Sequence, residues 1–244
     1  MTQNSLLVKD TVEIMNKISK DINSSEDLNI LFNNYSVNLH NIKITITVSP
    51  LLNKININEI ALKQQKPYIV NFLINIAQYY NVQDPIYLTD LIEDTVDKDK
   101  DERNAYSEIV LENPSFVNGK IYSYEHFKQI LTFYSEQRRD DSVFKIPWKK
   151  YIYFGSIRKT PVDCERLDKL TASFLGLVFD EYSCEEIKSF EENKKIIDSL
   201  DIITFNKKKP YPVKINIKYN NEHIKMIYDI NYKKVEKLEY DPVY

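Results

Sequence analysis

Apolar and small residues recur at three- to four-residue steps at the start of the chain, at Leu7, Thr11, Ile14, Ile18 and Ile22. Residues 5–22 are therefore predicted as an amphipathic helix with one apolar stripe, which Asn23, Ser24 and Ser25 interrupt. The period then falls to two. Ile42, Ile44, Ile46 and Val48 alternate with Lys43, Thr45 and Thr47, the signature of a strand with one buried face, and Pro50 ends it. Ile55 and Ile57, alternating with Asn56 and Asn58, predict a second, short strand. From Pro67 to Leu200 the spacing turns helical, in the sets Tyr68, Phe72, Ile76, then Phe127, Ile130, Tyr134, then Leu167, Leu170, Phe174, Leu177. Ser123 is placed to cap one of these helices, because its hydroxyl can accept from a free first-turn N–H. Glu93 to Glu102 reads as an acidic loop. Alternation returns with Val213, Ile215, Ile217 and Tyr219, then with Ile224, Met226, Tyr228, Ile230 and Tyr232, joined by an Asn220-Asn221 hairpin turn. A last strand is expected over Val235–Tyr240.

The order helix, strands, helical block, strands implies one sheet assembled from both ends of the chain, with the block inserted into it. The expected class is α+β: an N-terminal helix packed on an antiparallel sheet, with a large, mostly α-helical domain inserted between strands. The boundaries read as 1–60 and 201–244 for the body and 61–200 for the insertion. The reading requires the strands around Ile44 and Ile215 to share a sheet.

Composition narrows the function classes. With 43% hydrophobic and 28% charged residues the chain can bury a core. Its 3 glycines leave little material for phosphate-cradling loops, and a formal charge of -3 gives no general attraction to phosphate or anionic membranes. No apolar run approaches the roughly 20 residues that span a bilayer.

Asp97, Asp99 and Asp101, with Glu108 at the twelfth position, have the oxygen-ligand spacing of an EF-hand loop, but Glu102 stands where that loop requires glycine. What remains is a calcium site of another kind, drawing on Asp97, Asp99, Asp101 and Glu102 and on Glu93 or Asp94. The opposing reading is a solvated mixed-charge loop, since Lys98 and Lys100 alternate with the acids. Cys164 and Cys184 suit one disulfide or two buried thiols. His40, His126 and His223 lie in different elements without a neighbouring nucleophile motif, so no catalytic residue is assigned. Trp148 to Phe154 interleaves basic and aromatic residues, which fits either single-strand nucleic-acid stacking or core packing; core packing is preferred and nucleic acid is not expected as a partner.

Several segments, in order, resemble a known family. Lys54-Ile55-Asn56-Ile57-Asn58 is similar to the G-K-I-N-L-N strand of the K-type minor pseudopilins of type II secretion systems. Leu88-Thr89-Asp90-Leu91-Ile92-Glu93 resembles their L-x-D-W-I-D, with Leu91 in the place of Trp. Glu102 and Tyr106 resemble G-A-E-x-x-x-Y, Asn118, Ile121, Ser123 and Phe127 keep the spacing of N-x-x-L-x-S-x-x-x-L, and Val162-Asp163 resembles the opening of a second helical repeat. The resemblance implies a pilin-like body with an inserted α-domain. It also implies a structural subunit at the tip of the pseudopilus that initiates filament assembly in complex with the I- and J-type minor pseudopilins. It implies calcium in the inserted domain, a periplasmic location, and an inner-membrane anchor through an N-terminal half-helix outside this sequence. In that setting Leu7, Thr11, Ile14 and Ile18 are interface candidates as well as packing residues. The alternatives are a minor pilin of a type IV pilus or competence filament, a calcium-dependent binding module, and a hydrolase built on paired carboxylates.

Overall fold

Strand register answers the first question the sequence poses. In the computed structural model, which describes residues 3–39, 42–219 and 222–242, Ile44 pairs with Tyr219, Ile46 with Ile217 and Val48 with Ile215. Segments about 170 residues apart in sequence therefore share one sheet, as the patterning requires.

The chain forms two units, residues 1–52 with 203–244, and residues 53–202. The first unit opens with α1 (Gln3–Asp21) and α2 (Ser25–Leu31). Ser24 ends the break between them with a capping box: its hydroxyl accepts from the Asp27 N–H at 3.2 Å, and the Asp27 carboxylate accepts from the Ser24 N–H at 2.9 Å. The sheet is antiparallel in the order β1 (Asn34–Leu39), β2 (Ile42–Pro50), β3 (Pro212–Tyr219), β4 (Glu222–Asp229) and β5 (Lys234–Pro242). Both α2 and β1 are additions to the predicted elements. The proposed turn at Asn220-Asn221 lies outside the described residues, as does His40. One face of the sheet, carrying Val48, Val213, Ile215, Ile217, Ile224, Met226 and Tyr228, forms a core with Met15 and Ile22 of α1 and with Leu28 and Leu31 of α2.

The second unit is built on α3 (Lys66–Tyr79), α4 (Pro85–Val96) and α5 (Tyr124–Arg138), with shorter helices between and after them. Ser123 caps α5 by accepting from the His126 N–H at 3.2 Å. The core of this unit gathers Phe72, Ile76, Leu88, Leu91, Phe127, Ile130, Tyr134 and Trp148.

Two expectations need correction here. The body ends near residue 52, not 60, because Ile55–Asn56 pairs in parallel with Ile152–Tyr153 inside the second unit. Asn56 and Asn58 are not the solvent side of a strand: they are 4% and 0% exposed. The physical reason is shared. Buried polar side chains here satisfy loop backbone, a role that an alternating pattern of apolar and polar residues cannot reveal. Val162–Asp163 is a two-residue strand that precedes the short helix Lys169–Phe174.

Asn58 donates from Nδ2 to the carbonyls of Ile121 at 2.9 Å and Gly155 at 2.8 Å, and its Oδ1 accepts from the Ile121 N–H at 2.8 Å. Asn56 accepts from the Gly155 N–H at 2.9 Å and donates to the Ser156 carbonyl at 2.8 Å. A Cβ on Gly155 would stand 2.8 Å from the Asn56 amide nitrogen, so a side chain there would displace the clamp.

Candidate functional site

The C-terminal half of α4 carries carboxylates at Asp90, Glu93 and Asp94, spaced so that they lie near one another on the helix surface, and Asp97 caps its end. The carbonyl end of a helix is electronegative, so this placement needs a cation. Arg103 supplies one. Its Nε lies 3.0 Å from Glu93 Oε2, and a terminal nitrogen pairs with Asp94 and, at 2.5 Å, with Asp97 Oδ2. Lys66 pairs with Glu93 as well. The side chain of Asp94 is fully buried, and besides the guanidinium it accepts from the Arg103 backbone N–H at 3.2 Å and from the Ser107 hydroxyl.

Glu108 approaches from the other side of this loop. It is 0% exposed; the Asn118 amide donates to one of its oxygens, and Oε2 has no hydrogen-bond partner. Burial pushes its carboxyl up to about 7, and the negative charges of Asp94, Asp97 and Asp99 add to the rise. Asn118 Oδ1 also lacks a hydrogen bond, and Asp97 has no partner besides the Arg103 guanidinium, which its Oδ2 meets. The Gly119 N–H donates to the Thr95 carbonyl at 2.9 Å, which holds residue 118 beside the end of α4.

The four residues singled out as calcium ligands are thus divided. Asp97 is half-buried in this corner, whereas Asp99, Asp101 and Glu102 are exposed. Among the described residues no three His, Cys, Asp or Glu side chains are arranged to hold a metal ion. The oxygens that fit a hard cation are instead those left without a partner: Asp97 Oδ1, Glu108 Oε2 and the amide oxygen of Asn118. The twelve-residue spacing points to Glu108, but the ligand set drawn from the sequence leaves it out. No sequence signal marked Asn118 as a ligand or Arg103 as the counter-ion.

The interface candidates divide too. Thr11 is 3% exposed and donates to the Leu7 carbonyl at 2.8 Å, and Leu7 packs partly against the sheet core. Ile14 and Ile18 face outward at 50% and 39% exposure, and Leu6 joins them at 44%. The helix therefore has two apolar faces. Met15, Ser19 and Ile22 continue the inner one.

Cys164 and Cys184 form a disulfide with Cα atoms 5.5 Å apart, tying Cys184, the first residue of a short helix, to Cys164, which is buried beside Val162 and Asp163. Trp148, Tyr151 and Tyr153 are core residues, with the Trp148 indole donating to the Val143 carbonyl at 2.9 Å. His126 is half-buried, and its Nδ1 accepts from the Tyr122 N–H at 3.3 Å. No helix among the described residues is long and apolar enough to cross a membrane.

No protein-family model and no curated protein matches the sequence. Among solved structures, a chain from the crystal structure of the GspK-GspI-GspJ complex of the enterotoxigenic Escherichia coli Type 2 Secretion System superposes with a TM-score of 0.66 at 11% identity. The match covers 98% of this chain and 96% of that one. The two chains share a fold. Coverage of that extent takes in the interrupted sheet and the whole inserted unit of this chain, so the α+β architecture read from the sequence is the architecture of a known secretion-complex subunit.

Proposed function

We propose that this chain is a K-type minor pseudopilin, a structural subunit that works by recognising other subunits and not by catalysis. The observation that carries the reading is the match along nearly the full length of both chains, inserted unit included, to a structure whose components assemble as GspK, GspI and GspJ. The two-faced α1 supports it: one face is used within its own unit, while Leu6, Ile14 and Ile18 remain exposed for a neighbour. On this reading the partners are the I- and J-type minor pseudopilins, the place is the periplasmic tip of the pseudopilus, and the task is to initiate filament assembly.

Co-expression with the I- and J-type proteins of the same genome, followed by size-exclusion chromatography, tests it. A stable complex of one copy of each is the expected result. Three well-folded proteins that elute separately at tens of micromolar would remove the assignment.

The unpartnered oxygens of Asp97, Glu108 and Asn118 favour a second element, a calcium ion bound in the inserted unit. When bound, the ion would supply positive charge to a corner where Asp90, Glu93, Asp94, Asp97 and Glu108 crowd together. Arg103 and Lys66 already pair with part of that set.

A further inference from the structure

We propose that Arg103 competes with a divalent cation for Asp97 and thereby sets the metal affinity of this corner. The inference rests on the cation reading of Asp97, Glu108 and Asn118. Asp97 is the one carboxylate that belongs to both groups. Its Oδ2 pairs with the Arg103 guanidinium at 2.5 Å, while its Oδ1 has no hydrogen-bond partner.

The partners of Arg103 differ in how firmly they are committed. Asp94 is fully buried and accepts from the Arg103 backbone N–H and from Ser107 besides the guanidinium, so the protein holds both of its oxygens. Glu93 is held between Arg103 and Lys66. Letting go of Asp97 therefore costs the guanidinium one ion pair and leaves it two. The nitrogen that meets Asp97 is the one that meets Asp94, so it keeps a partner when Asp97 leaves, and the Arg103 side chain, 31% exposed, stays open to water.

The cation has the opposite balance. Without Asp97 it retains one carboxylate, Glu108, and one amide oxygen, too few for a hard ion that favours six or more oxygens. With Asp97 it gains a second negative charge at the electronegative end of α4. One carboxylate cannot fully serve a guanidinium and a divalent ion at once, because the two like charges repel at that distance. Occupancy by one lowers the affinity for the other, a negative coupling between two cations built into a single loop.

Titration calorimetry with calcium chloride on the full chain tests this with wild type, Arg103→Gln, Arg103→Lys and Glu108→Gln. Removing the competitor is expected to tighten calcium binding by about ten-fold in Arg103→Gln. Arg103→Lys, which keeps the charge without the fork, is expected to fall between that variant and wild type. Binding by Arg103→Gln alone also supports the proposal. Equal or weaker binding by folded Arg103→Gln, with wild type binding normally, overturns the competition and leaves the cation reading standing. No binding by any variant, or undiminished binding by Glu108→Gln, removes the cation reading and the inference with it. Where Arg103→Gln does not fold, a crystal structure of wild type grown with calcium decides: an ion on Asp97 with the Arg103 pair broken supports the proposal, and an ion bound with that pair intact overturns it.

Discussion

The two units of this chain reach stability by different means. The sheet unit is a period-two structure. Val213, Ile215, Ile217 and Tyr219 point one way and are at most 5% exposed, Lys214, Asn216 and Lys218 point the other, and the pairing register repeats the pattern on β2 and β4. The inserted unit has an apolar core of its own, but its loops are held by buried polar side chains. Asn56, Asn58, Glu59, Asp140 and Asn193 are each 6% exposed or less and bond to backbone groups of segments far from them or several residues away. A sheet supplies its own backbone partners, whereas connections between short helices do not, and side chains must supply them instead.

Asn58→Ala should break the inserted unit most severely. Two carbonyls and one N–H, at Ile121 and Gly155, lose their partner together. At roughly 1–3 kcal/mol for each buried group left unsatisfied, the expected loss is about 4 kcal/mol in denaturant unfolding of that unit. A loss below about 1 kcal/mol would show that water replaces the side chain, and would weaken the contrast between the units.

Glu59 sharpens the same contrast through pH. Burial raises its carboxyl from 4.5 to about 7, even though its Oε1 accepts from Asn56 Nδ2 at 3.1 Å and from the Thr160 N–H at 2.9 Å. The folded state therefore holds the proton more tightly than the unfolded one. Its contribution is greatest below pH 4.5, declines as the unfolded chain ionises, and reaches its floor above about pH 7. The decline amounts to about 3 kcal/mol. Glu59→Gln keeps an oxygen for both donors and has no charge to desolvate, so the stability difference between variant and wild type should grow by about that amount from pH 4.5 to pH 8. A flat difference across the range would mean that the site admits water or that a cation, such as Lys159, compensates the charge.

The same division explains what could be read from the sequence. The sheet, its interruption and α1 were legible because burial there follows a period. The helices α3 and α5 were legible from Tyr68, Phe72 and Ile76 and from Phe127, Ile130 and Tyr134 for the same reason. The Asn56 and Asn58 clamp was not, because an asparagine on a solvent face and one bonded to a distant carbonyl look alike in sequence. In the acidic corner, the spacing of Asp97 and Glu108 reported the carboxylates. It could not report that Asp99, Asp101 and Glu102 turn to solvent while Arg103, within the same stretch, and Asn118, beyond it, turn inward to the carboxylates. The outer stripe of α1 was merged with the inner one, because 3.6-residue periodicity locates apolar positions but does not say which of two adjacent stripes meets the core.

That last distinction yields the smallest expected effect on stability and the most direct link to assembly. Met15 is 3% exposed within the core of the sheet unit, and its truncation to alanine should cost about 3 kcal/mol. Ile14, the adjacent residue, is 50% exposed, and Ile14→Ser should change the stability of that unit by no more than about 0.5 kcal/mol, since no packed volume is lost and the helix propensities are similar. If the outer stripe of Leu6, Ile14 and Ile18 meets a neighbouring subunit, the neutral substitution should still weaken co-purification with the I- and J-type partners. Met15→Ala, where it remains folded, should leave that interaction nearly intact. Neutral stability together with undiminished complex formation in Ile14→Ser would separate the two faces in the other direction, confining the recognition role of α1 to residues other than this stripe.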